Sequence, residues 1–241
     1  MGKLTKTEAF GNTELKIISP TQSEVMMLLK DFNKFWLIVI FLALIGISCG
    51  QKKQEPQTAK PIEEKLITPR SILMVIAPRD FRDEEFKLPF EYLRSLGHKI
   101  TVAATDTTKA IGMLGLEVKP DLRIEGVDTL LYDAMILVGG TGSVIYWDNQ
   151  TVHQLVRHFA RPPKVLAAIC LAPVTLARAG VLKDKEATVY KDRATIEEFK
   201  KGGAKYLEKN VVISGNIITA SGPHAAESFA KAINQVLTSG Q

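Results

Sequence analysis

The sequence has only two cysteines and four histidines in 241 residues, and the two cysteines, Cys49 and Cys170, lie far apart in unlike surroundings. A disulfide framework is therefore not indicated, and neither is a Cys/His metal site. No stretch is long and polar enough throughout to make the chain disordered, since 46% of it is hydrophobic. The net charge of +5 comes from Lys and Arg that are dispersed and not gathered into a stripe, so nucleic acid is not an expected partner. Nor is there an apolar run of the ~20 residues that span a bilayer comfortably. The longest covers residues 35–47, 13 in all.

That run has a context of its own. Residues 1–26 are polar and carry Lys3, Lys6 and Lys16 without a core-forming pattern, so they read as an unstructured extension or as sequence upstream of the true start at Met26 or Met27. From there Lys30 and Lys34 precede the apolar run, and Ser48, Cys49 and Gly50 follow it. Residues 27–49 thus have the order of an export signal: a charged start, a short apolar centre and a small residue at its end. Ser48-Cys49 resembles a lipobox, in which Cys49 would carry the lipid. The place where a lipobox prefers Leu, three before the cysteine, holds Gly46. An uncleaved anchor and a buried helix remain the alternatives. Residues 50–69 are polar, with Pro56 and Pro61, and read as a flexible tether. The expected location is membrane-anchored, with the following domain on the extracytoplasmic side, periplasmic or cell-surface.

Residues 70–239 alternate strand and helix signals. Strands are expected at residues 72–77, 99–104, 134–138, 165–169, 211–213 and 217–220, all short apolar runs. Helical spacing runs through Phe86, Leu93 and Leu96 to a stop at Gly97, then through Val152, Leu155 and Phe159, then over residues 171–179 to Gly180, and last through Phe229, Ile233 and Leu237. Residues 114–126 read as a small hairpin or irregular excursion. This order predicts an α/β fold, a three-layer sandwich around a mostly parallel central sheet. Sites in such sheets lie at the carboxyl ends of the strands. Three candidate groups fall there: Glu85 after the first strand, Gly139-Gly140 after the third, and Cys170 after the fourth.

Cys170 joins a buried strand to a helix, with Pro173 suited to the first helical turn. A thiol at such a start faces the positive end of the helix dipole, which favours thiolate; a lone Cys among Ala, Ile and Leu is also an ordinary small core residue. Tyr146 and Trp147, after the glycine turn, are aromatics able to line a pocket or to fill core. His98, His153 and His158 read as non-ligands.

Taken together, Glu84-Glu85 shortly before Pro89, the pair Gly139-Gly140, the run Ala168-Ile169-Cys170-Leu171-Ala172-Pro173 and Gly222-Pro223 resemble the ThiJ/PfpI superfamily. That family is related to the protein linked to early-onset parkinsonism and to the class I glutamine amidotransferase fold, itself flavodoxin-like. The resemblance spans roughly residues 71–237, the whole of the expected domain. It implies a reactive thiolate at Cys170 on a nucleophile elbow, a protonated or proton-sharing Glu85 beside it, and an oxyanion pocket from the backbone N–H groups of Gly140 and Leu171. It also implies a likeness to enzymes acting on small carbonyl compounds as glyoxalases or deglycases, no cofactor or metal, and a homodimer. Protease-like members carry His directly after the nucleophile, where this chain has Leu171. Other members place a His in the segment matching residues 188–190, where this chain has Tyr190, a donor but a poor base near neutral pH. His224, after Gly222-Pro223, is the remaining candidate for a third group. A non-catalytic redox sensor or stress-response chaperone, in which Cys170 is oxidised, is the alternative function.

Overall fold

In the computed structural model the described residues are 68–239; the signal, the lipid site at Cys49 and nearly all of the tether lie outside them. Among the described residues no helix is long and apolar enough to cross a membrane.

The chain enters on β1 (Ser71–Val75), a run of apolar residues that is buried from Ile72 onward. It then makes the short β2 (Arg79–Phe81), α1 (Asp83–Ser95), β3 (Lys99–Ala104), β4 (Ala110–Gly112), β5 (Glu117–Val118) and β6 (Leu122–Arg123). Next come β7 (Ala134–Leu137), α2 (Gln150–Phe159), β8 (Val165–Ile169), α3 (Pro173–Arg178), β9 (Glu186–Ala187), α4 (Arg193–Lys201) and β10 (Lys205–Tyr206). The hairpin β11 (Val211–Ser214) and β12 (Ile217–Ala220) and the helix α5 (Ala226–Ser239) complete the domain.

Seven strands form the central sheet in the order β11-β12-β8-β7-β1-β3-β6, parallel except for β11 at one edge. Buried parallel strands need apolar side chains on both faces, which is why β1, β7 and β8 read as unbroken apolar runs. Leu73 and Val75 point into one core layer with Val152 and Phe159 of α2 and Phe199 of α4. Ile72 and Met74 point into the other, with Phe86 and Leu93 of α1 and Phe229 and Ile233 of α5. The mostly parallel sandwich expected from the alternation is what forms.

The excursion between β3 and β7 is more ordered than its punctuation implied. β4 and β5 pair as an antiparallel hairpin beside β2, in a small sheet of their own. The carboxylate of Asp83, at the start of α1, accepts the N–H groups of Leu114 (2.8 Å) and Leu116 (2.7 Å) and holds that hairpin down. Gly112 is required there, since a Cβ would stand 2.6 Å from Asp83 Oδ2. The helix after the elbow is shorter than residues 171–179, because Leu171 and Ala172 make a turn before Pro173 opens α3.

Candidate functional site: the Cys170 cleft

Every parallel strand ends at the same edge of the sheet, and the loops leaving β1, β7 and β8 meet there. Cys170 follows β8 directly, at φ 63°, a left-handed conformation that costs a non-glycine residue roughly 1–2 kcal/mol. The neighbourhood holds it there. Its N–H donates to Ala220 O (2.9 Å), and its carbonyl accepts from Tyr190 N–H (2.9 Å). Trp147 Nε1 donates to the carbonyl of Leu171 (3.1 Å). A strained residue tied on both sides is the arrangement by which a fold aims one side chain outward at a strand end.

Glu85 reaches the same place from the first turn of α1, on the inward face that also buries Asp83, Phe86, Pro89 and Leu93. It is wholly buried, and neither carboxylate oxygen makes a hydrogen bond of ordinary geometry. Pro89 lacks the N–H that would bond the Glu85 carbonyl within the helix. Between Glu85 and Cys170 stands Gly139. A Cβ there would lie 2.5 Å from Glu85 Oε2 and 2.6 Å from Cys170 Cβ, so only glycine lets the carboxyl and the thiol approach. Gly140, at φ 94°, would clash with the backbone of Asp80 and Arg82 if it carried a side chain. Its N–H and that of Leu171 face the thiol and favour its ionisation.

Burial pushes both groups up. The Glu85 carboxyl is raised to about 8, first by desolvation, against which the facing Cys170 thiol and Gly139 N–H act only in part. The Cys170 thiol is pushed up to about 12, first by desolvation and then by the charge of Glu85. The expected lowering by a helix start is not met: α3 has six residues and begins three positions beyond the thiol, too short and too far for its dipole to outweigh burial. At neutral pH Glu85 is protonated. The charge that opposes a thiolate is then absent, leaving the two N–H groups against burial alone.

The cleft above the thiol encloses about 300 Å³ and is lined by Arg82, Met113, Thr141, Tyr190, Asp192 and Pro223, with Gly140, Cys170 and Leu171 at its base. Arg82 is held in a two-pronged ion pair with Glu84, Nε to Oε2 at 2.8 Å and a second bond at 3.0 Å.

A profile of the DJ-1/PfpI family matches residues 70–235. The chain belongs to the DJ-1/PfpI family. It is 42% identical over 198 residues to an uncharacterized protein of Methanocaldococcus jannaschii, covering 80% of this chain and 91% of the relative. It is 30% identical over 152 residues to a Thermococcus kodakarensis protein named a deglycase, covering 63% and 90%. The crystal structure of a ThiJ/PfpI domain protein from Brachyspira murdochii superimposes with a TM-score of 0.68 at 34% identity, over 71% of this chain and 98% of that one.

In this DJ-1/PfpI domain the structure brings Cys170, Glu85, Gly140 and Leu171 together, and sets Tyr190 on the cleft wall. His224 goes elsewhere: its Nε2 faces Asn210 Oδ1 (3.1 Å) and Ser221 Oγ (3.2 Å) in a neighbouring cleft. Tyr146 and Trp147 do not line the thiol cleft. Tyr146 is buried with its hydroxyl donating to Ile76 O (2.7 Å), and Trp147 packs against the core beneath Arg178. His98 and His153 are buried and bond to Asn234 and to the Trp147 carbonyl. Arg82, Met113, Thr141 and Asp192, which also line the cleft, carry no signal in the sequence. They come from separate loops, and no spacing relates them to Cys170. Among the described residues no group of three or more His, Cys, Asp or Glu is placed to hold a metal.

Proposed function

We propose that this chain is a cysteine-dependent enzyme acting on small carbonyl compounds, of the deglycase and glyoxalase kind. The observation that carries the reading is the buried Glu85–Cys170 pair at the floor of an open cleft, with two backbone N–H groups beside the sulfur. The name of the Thermococcus kodakarensis relative points the same way. Leu171 in place of a histidine makes a peptidase the weaker variant.

For a 2-oxoaldehyde the chemistry balances without cofactor. The pair first gives one proton to solvent and keeps the other on Glu85; the sulfur, as thiolate, adds to the aldehyde carbon, the C=O electron pair moves to oxygen, and that oxygen takes the proton Glu85 carries. The Glu85 carboxylate then removes the proton on the former aldehyde carbon, giving an enediol, and returns it to the neighbouring carbon, while the hydroxyl proton passes from the first oxygen to the second; this leaves a thioester of a 2-hydroxy acid. Water cleaves the thioester, releasing the 2-hydroxy acid and restoring the thiol. The N–H groups of Gly140 and Leu171 hold the oxygen on which charge develops.

A sensor reading, in which Cys170 is oxidised and nothing is turned over, draws on Tyr190 standing where other members have a base. A panel of 2-oxoaldehydes and their amine adducts, assayed on wild type and Cys170→Ala, separates the two. Turnover lost in the variant supports the enzyme. No turnover, together with selective addition of two oxygens to Cys170 under mild peroxide, supports the sensor.

The tether belongs to the same reading: residues 27–49 export the chain, lipidation at Cys49 anchors it, and the domain works on the extracytoplasmic side as a homodimer. Membrane fractionation with Cys49→Ala, and the molar mass in solution, test these parts.

A further inference from the structure

A cleft of about 630 Å³, which shares no residue with the thiol cleft, opens between α2 and the last turns of α3 and α4. A Cβ on Gly202 would stand 2.8 Å from the Ala177 carbonyl oxygen, so only glycine there lets the end of α4 close on the end of α3. The cleft is lined by four cations, Arg157, Arg178, Lys183 and Lys201, and by two carboxylates, Asp148 and Glu198. Both carboxylates are taken. Arg178 donates from Nε to Glu198 Oε2 (2.8 Å) and from Nη1 to Asp148 Oδ2 (2.6 Å), and Lys201 Nζ donates to Glu198 Oε1 (2.8 Å). Among the described residues Arg157 and Lys183, both exposed, have no carboxylate partner.

The helix ends do not supply the missing charge. Arg157 stands in the last turn of α2, and a helix end is worth about half an elementary charge, screened where it is exposed. Lys183 lies beyond α3, past Gly180. Two uncompensated cations from separate elements thus line one opening, with a third, Arg178, between its two acids. A single carboxylate would leave one of them unmatched. A phosphoryl group carries roughly 1.5 to 2 negative charges near neutral pH and three strong acceptor oxygens, and the arginine fork fits it. The cleft also touches the elbow. The Arg178 guanidinium lies 5.1 Å over the Trp147 ring, and His153 Nε2 is bonded to the Trp147 carbonyl (2.8 Å). Trp147 Nε1 in turn holds the carbonyl of Leu171, next to the thiol.

We propose that this cleft is a binding site for a phosphoryl dianion, held by Arg157 and Lys183 with Arg178 beside them, whether it comes as free phosphate, as a soluble phosphomonoester or as a lipid headgroup. The site asks no reaction of Cys170. It stands whether or not the chain turns over a carbonyl compound.

Trp147 supplies the readout. The chain has two tryptophans, Trp36 and Trp147, so the full chain carrying Trp36→Phe, in neutral detergent micelles, reports on the cleft by its fluorescence. Titration with inorganic phosphate, at ionic strength held constant with chloride, is expected to give a saturable change with a Kd of about 1 mM or below, and calorimetry one phosphate per chain. Arg157→Ala and Lys183→Ala should each weaken binding by roughly tenfold or more. Lys185→Ala, which removes an exposed lysine outside the cleft, should change it by less than about twofold. Unchanged melting temperatures show that the exposed substitutions leave the fold intact. Glycerol 3-phosphate and dioctanoyl phosphatidic acid, the latter against dioctanoyl phosphatidylcholine, separate the sources: the tightest probe whose binding depends on Arg157 and Lys183 names it. No saturable response to any of the three phosphoryl probes, or an equal loss on Lys185→Ala, would overturn the site.

Discussion

The carboxyl of Glu85 and the thiol of Cys170 face each other across Gly139, with no room between them for a single additional carbon. One comes from the first turn of α1 and the other from the end of β8, and the glycine between them belongs to the loop after β7. The proximity is thus a property of three strand ends at once. Its energetic consequence is a carboxyl that holds its proton at neutral pH.

Glu85 therefore makes stability depend on pH. Its folded pKa of about 8 stands above its ordinary 4.5, so the stability it contributes is full below 4.5 and is lost as pH rises through about 8. Glu85→Gln, which keeps the shape and cannot ionise, is expected to match wild type near pH 4 and to exceed it near pH 9. The difference is on the order of a few kcal/mol, or roughly 5–10 °C in Tm. Thermal unfolding of both proteins across that range checks it, and parallel curves would contradict the buried, protonated carboxyl.

The same pair sets the expected pH–rate profile. Removing one proton from the pair leaves a single proton shared between carboxyl and thiol, one form of which is the thiolate beside protonated Glu85, and removing the second leaves no acid, so kcat/KM for a 2-oxoaldehyde should rise and then fall with pH. In Glu85→Gln the falling limb should vanish and the plateau should drop by roughly 10²-fold or more. An unchanged profile in the variant would take Glu85 out of the reaction.

Gly139→Ala tests the approach itself. The new methyl would lie 2.5 Å from both Glu85 Oε2 and the Ile169 carbonyl. Over-packing of this kind costs about 1–3 kcal/mol. Loss of activity beyond what the lowered Tm explains is expected, and activity like wild type would mean that the pair need not touch.

Tyr190→His places a base on the cleft wall where tyrosine can only donate. If proton removal limits turnover, kcat should rise about tenfold or more, with a new dependence on an ionisation near the ordinary histidine value of ~6.5. Steady-state kinetics between pH 5 and 8 show whether it does.

Asp83 predicts a mechanical effect. Asp83→Ala removes two hydrogen bonds to the hairpin, from Leu114 and Leu116, and orphans both N–H groups. A loss of ~1–3 kcal/mol is expected, with faster amide exchange at Leu114 and Leu116. Met113, which lines the thiol cleft beside that hairpin, would loosen with it.

Much of the fold was legible because burial on both sheet faces leaves unbroken apolar runs, as in β1, β7 and β8. α4 carries little helical apolar spacing, since only Ile196 and Phe199 are large and apolar in it. Its start was signalled by Asp192 and Thr195, which form a capping box. β9 and β10 have two residues each and exist only through their pairing.

The sequence by itself determined the class of fold, the elbow at Cys170 and the family, because strand-length apolar runs, glycine turns and a strand-to-helix cysteine are local patterns with local physical causes. Only the tertiary structure decided the ionisation of the pair, since desolvation depends on what closes over a group. It also decided that His224 turns away from the thiol toward Asn210, and that Arg82, Met113 and Asp192 join one cleft. Those relations are made where strand ends from distant parts of the chain converge, and no single stretch of sequence carries them.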